Sequence, residues 1–397
     1  MTLLPKDPGQ NKTTNSDQGP KARAWLVPCA AGLALLLGAA CGTAPDPTPP
    51  DDTTDPVTEG AGETTTARPP LDGTEYRVVD VNGIRMRIVE QGEGPLVLLA
   101  HGWPESWYSW RHQIPALAAA GYHAVAPDMR GYGGTDAPPD TADYDILHLC
   151  GDLVGLIDAL GEDDAVLVAH DWGAVVARDC VRMEPDRFSA VVNMSVPFGG
   201  PGPSSPIENW RRQHEDNFYY ILYFQELDAE GNGIADTELD ADPRGILSRL
   251  YLTGATRRPP EVTDPLRSAG GMIPRRGEPT DFPTWISADE LDYYVAEFTR
   301  TGFRGGLNYY RNFHRNWELT PHLRGVQVPQ PAMFIAGEND GVIGGATEET
   351  LVARLRQVAT DPRGVHLLPG VGHWVQQQAP DEVNRLLLEF LAALPAR

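Results

Sequence analysis

The order of apolar and amphipathic segments predicts an α/β fold, a doubly wound and mostly parallel sheet with an inserted helical lid. Two observations carry this expectation. The runs 96–100 and 165–168 are continuously apolar, as strands covered on both faces must be, and each is followed by helical periodicity. Residues 198–317 then break the alternation and are rich in Tyr, Trp, Phe and Arg, after which strand-like runs return at 332–336 and 364–368.

The elements follow in order. Residues 74–81 alternate apolar and polar, Asn82-Gly83 supplies a two-residue turn, and 84–90 runs back as a second strand. After the strand at 96–100 come a helical pattern at 110–120, a strand at 123–126 and a helix at 145–160. The strand at 165–168, its helix to 183 and a strand at 189–194 complete the first half. Helices at 347–358 and 381–394 flank the last strand. The core is therefore expected at 71–197 and 318–397, with the lid at 198–317.

The formal net charge is −23, which argues against nucleic acid or an anionic membrane surface as partner. Residues 1–40 read as an export signal: Lys21 and Arg23 precede an apolar run, 24–40, that is short for a membrane span. Leu37-Gly38-Ala39-Ala40-Cys41 resembles a bacterial lipoprotein cleavage box, with Cys41 as the lipidation site. Ordinary secretory cleavage and an uncleaved anchor are the alternatives, and all three export the chain. Residues 41–70, dense in Pro, Thr and acidic groups, read as an extended, disordered tether. Cys150 and Cys180 fall on predicted helices, where a disulfide and two buried thiols are both open.

The chemistry centres on Ala169-His170-Asp171-Trp172-Gly173, at the turn from an apolar strand into a helix. Such a nucleophile elbow needs small residues two before and two after the nucleophile, and Ala169 and Gly173 are small. Serine usually stands at the centre and attacks carbonyl carbon. Asp171 changes the reaction, because a carboxylate displaces a leaving group from saturated carbon and leaves an alkyl ester. An aspartate that merely caps the helix is the plain alternative. Two further groups argue against it. Asp340 follows the strand at 332–336, and His373 follows the last strand within Gly370-Val371-Gly372-His373-Trp374. Nucleophile, acid and histidine thus come in the chain order of the α/β-hydrolase fold, each past the carboxyl end of a strand. The supporting motif His101-Gly102-Trp103-Pro104 follows the strand at 96–100, which assigns an oxyanion hole to the backbone N–H groups of Trp103 and Trp172.

With these residues in view, the chain from about residue 72 onward resembles the soluble epoxide hydrolases, a lid-bearing branch of that fold. The resemblance rests on His101-Gly102-Trp103-Pro104-Glu105-Ser106-Trp107-Tyr108-Ser109-Trp110-Arg111, on Asp128-Met129-Arg130-Gly131-Tyr132-Gly133, on the elbow, and on Gly302-Phe303-Arg304-Gly305-Gly306-Leu307-Asn308-Tyr309-Tyr310-Arg311-Asn312. It implies two lid tyrosines that hold the epoxide oxygen. One falls on Tyr310; the other falls on Tyr220, with Tyr219 and Tyr223 as rivals. A phenol, with a pKa of about 10, stays protonated at neutral pH yet can donate to an alkoxide. Asp171 would open the ring, His373 oriented by Asp340 would activate water, and a vicinal diol would leave. No metal or cofactor is needed, and the expected partners are a small apolar epoxide and water. The sequence leaves oligomeric state open.

Haloalkane dehalogenases share His-Asp-Trp-Gly at the elbow but commonly carry Asn where Trp103 stands, and a halide needs no phenolic acid. Fluoroacetate dehalogenases place arginines beside the nucleophile, and none stands there. A surface lipoprotein that only binds a hydrophobic ligand would not need Asp171, His373 and Asp340 together. Asp228 to Gly233 has a calcium-loop look, broken by Glu230 and by Leu239 in place of the closing Glu.

Overall fold

The computed structural model describes residues 71–252, 262–279 and 281–395. The export signal, Cys41 and the tether, residues 1–70, lie outside the described residues. The first hairpin forms at Asn82-Gly83, where both residues take positive φ (43° and 80°), as a tight two-residue turn demands. It joins β1 (Glu75–Val81) to β2 (Ile84–Gln91). β3 (Leu96–Ala100), β4 (His123–Pro127), β5 (Ala165–His170), β6 (Phe188–Met194), β7 (Val328–Gly337) and β8 (Ala359–Leu368) complete one sheet, ordered β1-β2-β4-β3-β5-β6-β7-β8. The β1–β2 and β2–β4 pairs are antiparallel and the others parallel. Every residue of β3 and β5 is buried, which explains their unbroken apolar runs. The chain passes from β3 outward to β4 and then back across to β5. This reversal opens a crevice beyond the carboxyl ends of β3 and β5, where open α/β sheets bind ligands.

Local chemistry fixes the helix ends. Asp145 accepts hydrogen bonds from the N–H groups of Leu147 and His148 at the start of the helix Ile146–Leu160, and Gly161 closes it at φ 77°. The helix Trp172–Met183 follows β5 with one residue, Asp171, between them. Cys150 and Cys180 join these two helices in a disulfide with a Cα–Cα distance of 5.3 Å, which answers the question the sequence left open. The helical pattern expected at 110–120 is instead a 3₁₀ turn, Trp107–Trp110, followed by the helix Gln113–Ala119. A 3₁₀ turn aligns residues three apart, and it sinks both Trp107 and Trp110 into the core. At the far end, Pro380 starts a new helix, Pro380–Ala392, after the short Val375–Gln378. β7 and β8 begin four and five residues earlier than the apolar runs suggested.

Between β6 and β7 the described residues form the helices Pro206–His214, Tyr220–Tyr223, Ile234–Ala241, Pro243–Tyr251, Ala288–Thr301, Arg304–Arg311 and Phe313–Leu319. This segment is bonded to the loops after β3 and β4. Tyr251 donates to the Pro104 carbonyl (2.6 Å), Tyr309 to the Arg130 carbonyl (2.9 Å), and the Trp107 indole to the Tyr293 hydroxyl (2.8 Å). The helix Arg304–Arg311 meets the β4 loop backbone to backbone: a Cβ at Gly305 would lie 2.8 Å from the Gly131 carbonyl carbon. The carboxylate of Asp228 is taken up by its own turn, accepting from Glu230 and Asn232.

Candidate active site

Asp171 sits where strand becomes helix, at φ 49° and ψ −115°. A non-glycine residue in such a conformation stores on the order of 1–3 kcal/mol of strain, which the surrounding packing must hold. Gly173 lets the turn close, since a Cβ there would lie 2.7 Å from the Ala100 carbonyl carbon. The strain aims the carboxylate into the crevice. Its Oδ1 accepts from the Trp103 N–H at 2.9 Å, and its Oδ2 lies 3.7 Å from His373 Nε2. Trp172 opens the helix, so its N–H is one of the donors without a partner inside it.

His373 comes from the loop after β8, and its Nδ1 faces both oxygens of Asp340 at 3.1 Å. Asp340, from the loop after β7, is buried and also accepts from the Val342 N–H at 2.9 Å. The structure thus brings together Asp171, His373 and Asp340 from three separate strand ends. Burial pushes the Asp171 carboxyl above its ordinary range, against the pull of His373, His170 and the Trp103 N–H. Burial also opposes charge on His373, but Asp340, Asp171 and Glu105 outweigh it and push the imidazole up to about 9. Asp340 is held below its usual range: burial works against its charge, and His373 with the Val342 N–H and Ser195 prevails.

Above the carboxylate stands an aromatic wall. Tyr310 packs edge-on against Trp172 (ring centroids 5.0 Å apart), Phe224 (5.0 Å) and Trp103 (5.8 Å), and Tyr220 lies 5.9 Å from Tyr310. Burial raises both phenols, and each also feels the Asp171 charge, so both stay protonated. The rivals of Tyr220 are engaged elsewhere. Tyr223 donates to Glu238 at 2.8 Å, and Tyr219 stacks on His214 with centroids 4.2 Å apart. Tyr309, beside Tyr310 in sequence, is fully buried and spends its hydroxyl on Arg130.

The supporting motif is explained by contact. Gly102 has no room for a side chain, since a Cβ would lie 2.6 Å from Asp171 Oδ1. His101 is buried away from the crevice: Nδ1 bonds the Gly102 carbonyl and Nε2 accepts from the Met129 N–H, both at 2.9 Å. It therefore ties the β3 loop to the β4 loop. Asp128 does the same, accepting from the Trp107 and Gly134 N–H groups and pairing with Arg87. Sequence reasoning missed a second buried network. Glu105 Oε1 faces His170 Nδ1 at 2.6 Å and accepts from the Gly102 N–H at 3.2 Å, while Oε2 accepts from Gln376 at 3.0 Å. His170 Nε2 in turn faces the His373 carbonyl at 2.8 Å. Both residues lie inside motifs already quoted, but their partnership spans 65 positions and has no local signal.

Residues 95–234 match the family model of the alpha/beta hydrolase fold. The chain is 48% identical over 327 residues to Epoxide hydrolase A of Mycobacterium tuberculosis, a match spanning 81% of this chain and 98% of that protein. It is 41% identical to an epoxide hydrolase of Caballeronia sordidicola, spanning 81% and 94% of the two chains. Among solved structures it is similar to the crystal structure of Epoxide Hydrolase A from Mycobacterium thermoresistibile, with a TM-score of 0.75, 48% identity, and coverage of 82% of this chain and 100% of that one.

Proposed function

The chain belongs to the epoxide hydrolases of the α/β-hydrolase fold, and we propose that it converts an epoxide to a vicinal diol through a covalent ester on Asp171. One observation carries the reading: the elbow carboxylate lies between an amide donor on one oxygen and His373 on the other, below two protonated phenols. Asp171 Oδ2 attacks one ring carbon, the carbon–oxygen bond breaks, and Tyr220 and Tyr310 hold the leaving oxygen while one of them gives it a proton. His373, oriented by Asp340, then takes a proton from water, and the resulting hydroxide adds to the Asp171 carboxyl carbon. The oxyanion forms at an oxygen already bonded to the Trp103 N–H, with the Trp172 N–H as second donor. Collapse of this intermediate releases the diol and regenerates the carboxylate. The proton left over returns to the phenolate, so the net reaction is epoxide plus water to diol.

A His373→Gln variant treated with styrene oxide tests the sequence of steps. It is expected to gain the mass of one epoxide, mapped by peptide analysis to Asp171, and to form diol only slowly. Halide release from a 1-haloalkane without diol from styrene oxide would overturn the reading in favour of a dehalogenase. No product and no adduct from either would favour a ligand-binding protein. We also propose that the enzyme is exported, as a lipoprotein acylated at Cys41. The Cys150–Cys180 disulfide supports export, since such bonds persist in oxidising compartments.

A further inference from the structure

Among the described residues, four that are not glycine take positive φ. Asn82 and Glu215 are exposed; the other two are Asp171 and the fully buried Ser195, at φ 65°. Ser195 follows β6, the strand that lies between β5, which carries the nucleophile, and β7, which leads to Asp340. The Val196 N–H returns to the Met194 carbonyl at 2.7 Å, so Ser195 is the centre of a γ-turn. With φ positive it is the rarer and more strained of the two γ-turn forms. Such strain persists only where the surrounding structure over-determines it, and it gathers at functional sites. Here the turn touches both halves of the reaction. The Met194 carbonyl that closes it also accepts from the Asp171 N–H at 3.3 Å. The Ser195 hydroxyl donates to the His373 carbonyl at 2.7 Å. The Ser195 N–H bonds the Ile335 carbonyl of β7 at 2.9 Å, so the turn is anchored in the sheet itself.

The backbones of nucleophile and base are thus tied to one short frame. The His373 carbonyl also accepts from the Val375 N–H at 2.9 Å and faces His170 Nε2 at 2.8 Å. Val375 belongs to the same loop as His373, and His170 holds the carbonyl from β5; Ser195 adds the hold from β6. Serine suits the place, being small enough for a fully buried site and able to accept from His170 Nε2, 3.2 Å from Oγ, while it donates to the carbonyl. We propose that Ser195 is a positioning residue for the second half of the reaction, its γ-turn setting the distance between His373 and Asp171. At 3.7 Å the imidazole is near enough to bring water to the ester and too far to bond the carboxylate. The proposal rests on the covalent-ester reading above. Ring opening uses Asp171 and the phenols without His373, so Ser195 acts on ester hydrolysis and not on ester formation.

The test measures ester formation and ester decay by rapid quench with styrene oxide, in wild type, Ser195→Gly, Ser195→Ala and Ser195→Asn. Glycine takes positive φ without steric cost, so Ser195→Gly keeps the turn and removes only the hydroxyl. Loss of one hydrogen bond should slow ester decay by roughly three- to tenfold in the Gly and Ala variants, with ester formation kept within about twofold. In the steady state kcat and KM should then fall together, leaving kcat/KM, which reports ring opening, in place. Asparagine tolerates positive φ and carries a donor amide, so Ser195→Asn should recover part of the decay rate. First-order rate constants do not depend on how much of the protein is folded, so a poor yield of any variant cannot imitate the result. Unchanged decay in the Gly and Ala variants overturns the proposal. Equal slowing of both steps, or a lower kcat at constant KM, overturns it too, since these mark a structural role only. Failure of wild type to form either ester or diol would overturn the reaction itself, and is a separate outcome.

Discussion

Replacing Gly102 by alanine probes the closest approach in the site. The new methyl would stand against the Asp171 side chain, 2.6 Å from Oδ1 and 2.9 Å from Cγ, well inside van der Waals contact. Asp171 cannot retreat. Its N–H bonds the Met194 carbonyl, its backbone is already at positive φ, and Gly173 is pressed against Ala100 behind it. The β3 loop must therefore give way and carry the Trp103 N–H off its 2.9 Å contact. Overpacking of this kind costs about 1–3 kcal/mol of stability, a fall of a few degrees in Tm. Loss of one oxyanion donor costs about 10²–10³ in rate, or roughly 2.7–4 kcal/mol of barrier, and it falls on the step in which water attacks the ester. Gly102→Ala should thus lower kcat for styrene oxide by about 10²–10³ and accumulate the ester, seen by rapid quench and intact mass. Wild-type turnover in a folded variant would refute the role given to Trp103 and the placement of Asp171 beneath it.

Three more outcomes follow from contacts already described. Tyr220→Phe should slow ester formation by about 10²-fold, whereas Tyr223→Phe should leave single-turnover rates near wild type and lower Tm by releasing Glu238; equal kinetic losses would deny the distinction between them. Asp340→Asn removes the charge that, after burial is overcome, does most to hold a proton on His373. The imidazole should then titrate nearer to or below 6.5, moving the acid limb of the kcat profile to lower pH while the plateau falls. The stability that the wild-type pair contributes is full below 6.5 and fades as pH rises through about 9, a dependence that urea titrations across this range should lose in the variant. Glu105→Gln replaces the carboxylate in a buried hydrogen bond to His170 by a neutral amide, and denaturant unfolding should register a loss of about 1.5–3 kcal/mol.

What the sequence made legible was local or ordered. The elbow is five consecutive residues, and Asp340 and His373 could be found because strand ends are marked by the apolar runs before them. Glycines 102, 173 and 305 were readable as motif letters, but their reason lies in contacts to Asp171, Ala100 and Gly131, far off in sequence. The first lid tyrosine was harder. Tyr219, Tyr220 and Tyr223 crowd one short stretch of equal aromatic character, and only their partners, His214, the chamber and Glu238, separate them. The split at 110–120 was lost for a related reason: two tryptophans three apart fit α and 3₁₀ periodicity alike, and burial chose.

The electrostatics of the triad also order the two halves of the proposed reaction. In the free enzyme the ionised Asp171 is one of the charges that keep the proton on His373, so the imidazole is a poor base while the carboxylate is free to attack. Ester formation neutralises Asp171. Its contribution to the His373 proton vanishes while burial, which opposes the imidazolium, remains, and the ring becomes able to accept a proton from water at lower pH. Asp340 survives this change unaltered, still bonded at Nδ1, so the ring keeps its orientation as its charge becomes easier to lose. The carboxylate therefore signals its own consumption to the base, through a gap of 3.7 Å. Such coupling needs no motion of either side chain, only that the nucleophile be an anion that chemistry turns neutral. A serine at position 171, neutral at rest, could send no such signal. The chemical logic of an aspartate at this elbow thus extends beyond the attack on saturated carbon to the timing of the water that follows.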